Sequence, residues 1–182
     1  MKPGIVIIAE IHGDLAARIH RVQQRYDPRL AAELPPHITL TGSSGMGPID
    51  PKLDAAEVSR VLAPIAASTA PITVQFGPPM QFMQSEVVVL PIEPHGPIRV
   101  LHERIKTSGL SHERPRFAFT PPCTLSFYPE LSRRQVQQLL TERFPEPFVI
   151  DRIEAYRTET LTRTVRLCEL ALGSIAAPTG PS

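Results

Sequence analysis

Cysteine is scarce in this chain: Cys123 and Cys168 are the whole supply in 182 residues. They lie far apart, with no CxxC pairing and no histidine at a matching spacing. Neither a disulfide framework nor a zinc site is expected, and both read as small apolar residues of a reducing compartment. No apolar run approaches the roughly 18 residues that span a bilayer, so no membrane partner is expected. Charge of one sign is not in excess either: 19 Lys and Arg face 18 Asp and Glu, for a formal net charge of +1. That balance argues neither for nor against nucleic acid: a general electrostatic grip on polyanions wants a clear basic excess, whereas one small phosphate needs only a local cluster. The opening MKPGIVIIAEI is too short, is broken by Glu10, and lacks a small-residue cleavage site. A first β-strand is the better reading than a signal peptide, and the cytoplasm is the expected location. Phosphate loop, GxGxxG and GxSxG patterns are all missing; the TGSSGMG stretch after Leu40 has no following Lys-Ser/Thr. It reads as a loop.

What the chain does contain is an alternation of strand and helix signals, with most of its 21 prolines falling between them. Ile5 to Ile11 is a continuous apolar run of the central-strand kind. Asp14 is the expected N-cap of a helix whose stripe is Leu15, Ile19, Val22 and Tyr26, ended by Asp27-Pro28. Asp54 with Glu57, and Ser132 with Gln135, form capping boxes for two further helices, and Gly96-Pro97 opens another. Ile72 to Phe76, Val87 to Leu90, Phe148 to Tyr156 and Thr164 to Leu172 read as strands. The order, roughly β-α-β-α-β-β then α-β-α-β-β, excludes a purely parallel sheet and predicts an α+β fold rich in antiparallel sheet. A single domain over 1–175 is expected, with 176–182 as a disordered tail.

One short pattern occurs twice. Pro36-His37-Ile38-Thr39-Leu40 matches Pro121-Pro122-Cys123-Thr124-Leu125 at an offset of 85 residues. Each copy precedes a helix opened by a capping box, which points to an internal duplication, two lobes related by an approximate two-fold axis. In an extended strand His37 and Thr39 share one face while Ile38 and Leu40 take the other. An imidazole beside a hydroxyl suits a phosphate: the hydroxyl donates to a non-bridging oxygen and the ring moves a proton near neutral pH. The plainer reading is a satisfied histidine after a Pro-Pro turn, and the residues alone leave both open.

The string PPHITLTG resembles the first His-x-Thr-x motif of the two-histidine phosphoesterases, the superfamily of the 2′-5′ RNA ligases and cyclic phosphodiesterases. The element order resembles their two-lobed fold from Gly4 to about Gly173. The resemblance implies two motifs lining a cleft, one histidine activating a nucleophile and the other protonating the leaving oxygen. It implies no metal and no other cofactor. The implied partner is a nucleotide or RNA terminus bearing a 2′,3′-cyclic phosphate or a 2′-5′ linkage. Carried over by position, the catalytic set is His37, Thr39 and Thr124. The departure is Pro122, which stands at the second histidine position and cannot move a proton. Cys123, one register step on, and His112, in the polar segment Ser111 to Arg114, are the candidate substitutes. Arg116, and Arg114 beside it, are candidate phosphate partners. Tyr128 or Phe127 is a candidate base-stacking ring. Arg18, Arg21 and Arg25 read as a solvated helix face, and His20 as a solvated residue. An impaired phosphodiesterase and a catalytically degenerate nucleotide or RNA-end binder are both compatible with this pattern.

Overall fold

The computed structural model describes residues 4–42, 44–82, 85–160 and 163–173; the expected tail, 176–182, lies outside the described residues. In chain order the elements are β1 (Gly4–Glu10), α1 (Gly13–Tyr26), α2 (Pro28–Glu33), β2 (His37–Thr39), α3 (Ala55–Ala67), β3 (Ile72–Val74), β4 (Met80–Gln81), β5 (Val88–Pro91), α4 (Pro97–Lys106), β6 (Pro122–Ser126), α5 (Arg133–Leu139), β7 (Phe148–Ile150), β8 (Arg152–Thr160) and β9 (Arg163–Ala171). Three sheets are formed, in the orders β2-β1-β8-β9, β4-β5-β6 and β3-β7. Among the described residues every pairing between these strands is antiparallel, in keeping with an α+β fold, and the isolated bridge Ser44–Phe117 is parallel.

Burial explains the central place of β1. Ile5 and Ile7 are fully buried, and so is Ile38 on its neighbour β2. Each such side chain contributes about 1.5–3 kcal/mol relative to exposure. Helix α3 lays Val58, Leu62 and Ala66 over β8 and β9. Arg157 donates to the Leu53 carbonyl at 2.6 Å, just ahead of that helix, which sets Ile153, Ala155 and Arg157 on the α3 side. Strand alternation then turns Glu154 and Tyr156 to the opposite face. Glu154 lies across from Ile8, and Ile8 lies across from Thr39. Cross-strand neighbours share a face. Glu10, His37, Thr39, Glu154 and Tyr156 therefore belong to one polar face of the first sheet.

The repeat seen in the sequence has a structural counterpart. The units β1-α1-α2-β2 and β5-α4-β6 each join two antiparallel strands through a helical connection, which in the first carries the additional short helix α2. Each is followed by a helix whose capping box is complete, Asp54 with Glu57 and Ser132 with Gln135.

Local differences from the expected elements have physical causes. His12, not Asp14, is the N-cap residue of α1, and Asp14 lies in its first turn, where a carboxylate still complements the helix dipole. Asp27-Pro28 ends α1 as expected, but a second short helix follows at once: Pro28 stands at the start of α2, with Asp27 both closing α1 and capping α2 through Leu30. The run from Phe148 to Tyr156 is two strands, because the chain changes sheets at Asp151: β7 pairs with β3, and β8 pairs with β1 and β9.

Candidate active site

Strand β2 is an edge of the first sheet, β6 is an edge of the second, and the two lie side by side. The two copies of the short pattern are thereby brought together. Their registers correspond without slippage. In the first pair His37, Ile38 and Thr39 oppose Glu10, Ala9 and Ile8. In the second, Pro122, Cys123 and Thr124 oppose Pro91, Leu90 and Val89. Pro122 thus occupies the His37 position, Cys123 the Ile38 position and Thr124 the Thr39 position.

Cys123 behaves as Ile38 does. Both are completely buried. The thiol lies against the His37 main chain, and burial pushes its pKa up to about 12. A group that holds its proton so firmly is neither a nucleophile nor a proton donor near neutrality.

His37 is half-buried at the start of β2. Its Nδ1 is 2.7 Å from the Pro35 carbonyl oxygen. A carbonyl can only accept, so in the neutral ring the proton sits on Nδ1 and Nε2 keeps its lone pair. Burial lowers the pKa of the ring below the usual histidine value, while the Pro35 carbonyl and the charge of Glu10 act in the other direction. The ring is therefore neutral at pH 7 and equipped to take a proton at Nε2. Thr39 and Thr124 are both partly exposed.

Helix α1 holds β6 in place beside β2. The side chain of Gln23 donates to the Thr124 carbonyl at 2.8 Å. Asp27, 1% exposed, accepts from the backbone N–H groups of Phe127 and Tyr128 at 2.7 and 2.9 Å with one oxygen. Its other oxygen accepts from Leu30 at 3.0 Å. This brace joins the end of β6 to the α1–α2 corner.

The remaining candidates are dispersed. His112 bridges Ile49, which itself bridges Ile5. That places it at the far end of β1 from Glu10 and His37, about 16 Å along the strand at ~3.3 Å per residue. Arg116 is exposed next to Phe117, whose carbonyl accepts from Gly45 in the loop that follows the first motif. Tyr128 donates its hydroxyl to Glu33, and the Arg29 guanidinium covers its ring at 3.9 Å. Phe127 is 47% exposed and packs edge-on against Tyr128. Arg18 pairs with Glu146 and donates to the Arg143 carbonyl, so it is partnered and not simply solvated. His20 lines a hollow of about 540 Å³ with Glu10, His12 and Glu33, and its Nδ1 is buried with no hydrogen-bond partner among the described residues.

Glu10, Glu154 and Tyr156 are the polar residues of this face that sequence reasoning missed. A signal existed for Glu10, a charge ending an otherwise apolar central strand. For Glu154 and Tyr156 there was none, because their facing depends on where β8 separates from β7. Among the described residues no group of three or more His, Cys, Asp or Glu side chains could hold a metal ion. No helix among them is long and apolar enough to cross a membrane.

The model of the 2′-5′ RNA ligase superfamily matches residues 11–161, which include both copies of the pattern and almost all of the paired strands described above except β1 and β9. The chain belongs to this superfamily. Solved structures agree in fold. Escherichia coli LigT complexed with NADP+ superposes with a TM-score of 0.59 at 17% identity, covering 94% of this chain and 99% of LigT. LigT complexed with 3′-AMP gives 0.54 at 18% identity, with coverage of 94% and 99%. TT0787 of Thermus thermophilus gives 0.65 at 12% identity, covering 96% of this chain and 100% of that one. Curated proteins gave no significant match to the sequence. The chain is thus a 2′-5′ RNA ligase-like, phosphoesterase-type protein, with Pro122 on β6 in the register position that His37 holds on β2.

Proposed function

We propose that this protein is a metal-independent phosphodiesterase of the 2′-5′ RNA ligase-like group. Its substrate is a nucleotide or RNA end with a 2′,3′-cyclic phosphate or a 2′-5′ linkage. The observation that carries the reading is the matched register of β2 and β6, which gives Thr39 and Thr124 equivalent places on adjacent strands. In this reading the two hydroxyls donate to phosphate oxygens. His37 Nε2 takes a proton from the attacking hydroxyl or water, since Nδ1 is committed to Pro35. Arg116 is the cation offered to a phosphate, whereas Tyr128 is held by Glu33 and Arg29 and serves as a brace. LigT structures with 3′-AMP and NADP+ support a nucleotide as the ligand class. Two free cysteines fit a reducing compartment, the cytoplasm.

A second reading is favoured by one observation: both residues opposite each other at the second histidine position are prolines, Pro91 and Pro122. Neither supplies a proton, so the protein is then a degenerate binder of the same ligands. Hydrolysis of a panel of 2′,3′-cyclic nucleotides by wild type, His37→Ala and Pro122→His separates the two. The phosphodiesterase loses about 10²- to 10⁴-fold with His37→Ala, the usual cost of removing a general acid or base. A wild type with no turnover, combined with nucleotide binding and activity gained in Pro122→His, would replace the first reading by the second.

A further inference from the structure

Pro122 leaves His37 without an opposing imidazole, yet the first sheet surrounds it with acid. Glu10 is its direct cross-strand partner. The Tyr156 hydroxyl donates to Glu10 Oε1 at 2.5 Å. The backbone N–H of Glu10 donates to Glu154 Oε2 at 3.0 Å. Glu154 is 1% exposed, and its Oε1 has no hydrogen-bond partner among the described residues. The cations nearby are engaged elsewhere: Arg152 and Arg166 both bond Glu169, at 3.3 and 2.8 Å. Glu154 is thus a carboxyl enclosed in the sheet, held on one side by the backbone N–H of Glu10 and with its other oxygen unpartnered among the described residues. The second pair of strands has neither element: Pro91 stands where Glu10 does, and Pro122 where His37 does. The acid accompanies the histidine and is missing where the histidine is missing.

We propose that Glu10 is the positioning residue of His37, stabilising the imidazolium formed when Nε2 takes up a proton, and that Tyr156 and Glu154 fix Glu10 in that place. The proposal rests on the reading of His37 as the acid–base group. The proton passes from the attacking hydroxyl or water to Nε2, and none passes to Glu10, which acts by charge alone. A carboxylate beside an imidazole favours its charged form. Around His37 stand Glu10 from β1, Cys123 from β6 and the Pro35 carbonyl from its own approach. Around Glu10 stand Tyr156 and Glu154 from β8, and His12, His20 and Glu33 line the hollow it borders. Glu154 in turn meets Glu169 across β9 and Arg152 on its own strand, while Arg166 lies across from Tyr156. Burial, with Glu10 and Glu169 adding to it, raises the Glu154 pKa to about 7, against the backbone N–H of Glu10 and the charge of Arg152. The array around the histidine thus gains a negative charge near neutral pH.

The test is an NMR titration of the His37 ring in wild type, Glu10→Gln and Glu10→Asp, alongside hydrolysis by His37→Ala. The midpoint moves to lower pH in Glu10→Gln, and Glu10→Asp, which keeps the charge, returns it most of the way. The acid limb of the rate profile moves in the same direction. A midpoint unchanged in Glu10→Gln overturns the proposal, as does Glu10→Asp displaced as far as Glu10→Gln. Wild-type turnover in His37→Ala removes the acid–base reading itself, whatever the titration shows. Loss of turnover in His37→Ala with an unmoved titration removes only the role of Glu10.

Discussion

Replacing Asp27 by alanine should cost about 3 kcal/mol of folding stability, a figure that follows from the three backbone groups it serves. The Leu30 contact is an N-cap, whose loss to alanine costs about 1 kcal/mol. The Phe127 and Tyr128 N–H groups lose a charged acceptor. A stranded donor costs about 1–3 kcal/mol, and the lower end applies because these contacts are only part-buried. With a urea slope near 2–3 kcal/mol per molar, the midpoint falls by roughly 1–1.5 M. Asp27→Asn keeps one acceptor oxygen and should lose about half as much. Because the brace sets β6 beside β2, Asp27→Ala should also weaken nucleotide binding more than its stability loss explains at saturating folded protein. The assay is urea unfolding followed by two probes, one in the far-ultraviolet and one on Tyr128. A midpoint for Asp27→Ala within about 1 kcal/mol of wild type, at unchanged slope, would refute the brace.

Glu154→Gln should change how stability depends on pH. The folded-state pKa is raised to about 7 from an ordinary 4.5, so the wild type loses stability as pH rises through that window. The glutamine variant lacks this loss: its advantage over wild type grows from pH 4.5 to about 7 and is flat above. Equal pH dependence in the two proteins would show Glu154 to be ordinarily ionised. Cys123 should resist alkylation in the native protein, since its thiol is buried and its pKa lies at about 12. Cys168, only partly buried, should react first, and mass mapping of a limited iodoacetamide reaction decides the order.

The place of the first pattern on a strand was legible from its alternation, and the internal match put Thr124 at the Thr39 position by the same rule. Capping boxes at Asp54 and Ser132 were equally readable, since a cap is a local contract between residues three apart. The end of α1 at Asp27-Pro28 was legible as well, but not the short helix that follows, because proline both ends and begins helices and the Asp27 cap on Leu30 is what starts the second. His112 looked near the second motif in sequence, but its bridge to Ile49 carries it to the other end of β1. The acids behind His37 escaped notice for a deeper reason. Glu10 and Glu154 are 144 residues apart, and their meeting depends on long-range strand pairing that no local pattern encodes.

The change of sheets at Asp151 has a consequence for how the protein comes into being. β1 meets β2 early but cannot finish its sheet until β8, and β9 beyond it, leave the ribosome. The nascent chain must therefore carry one open flank of β1, the side away from the His37 strand, through the synthesis of every element between them. Pairings of such separation fold slowly and leave apolar edges uncovered meanwhile. Truncation before β9 is then expected to yield an insoluble product and not a smaller working half.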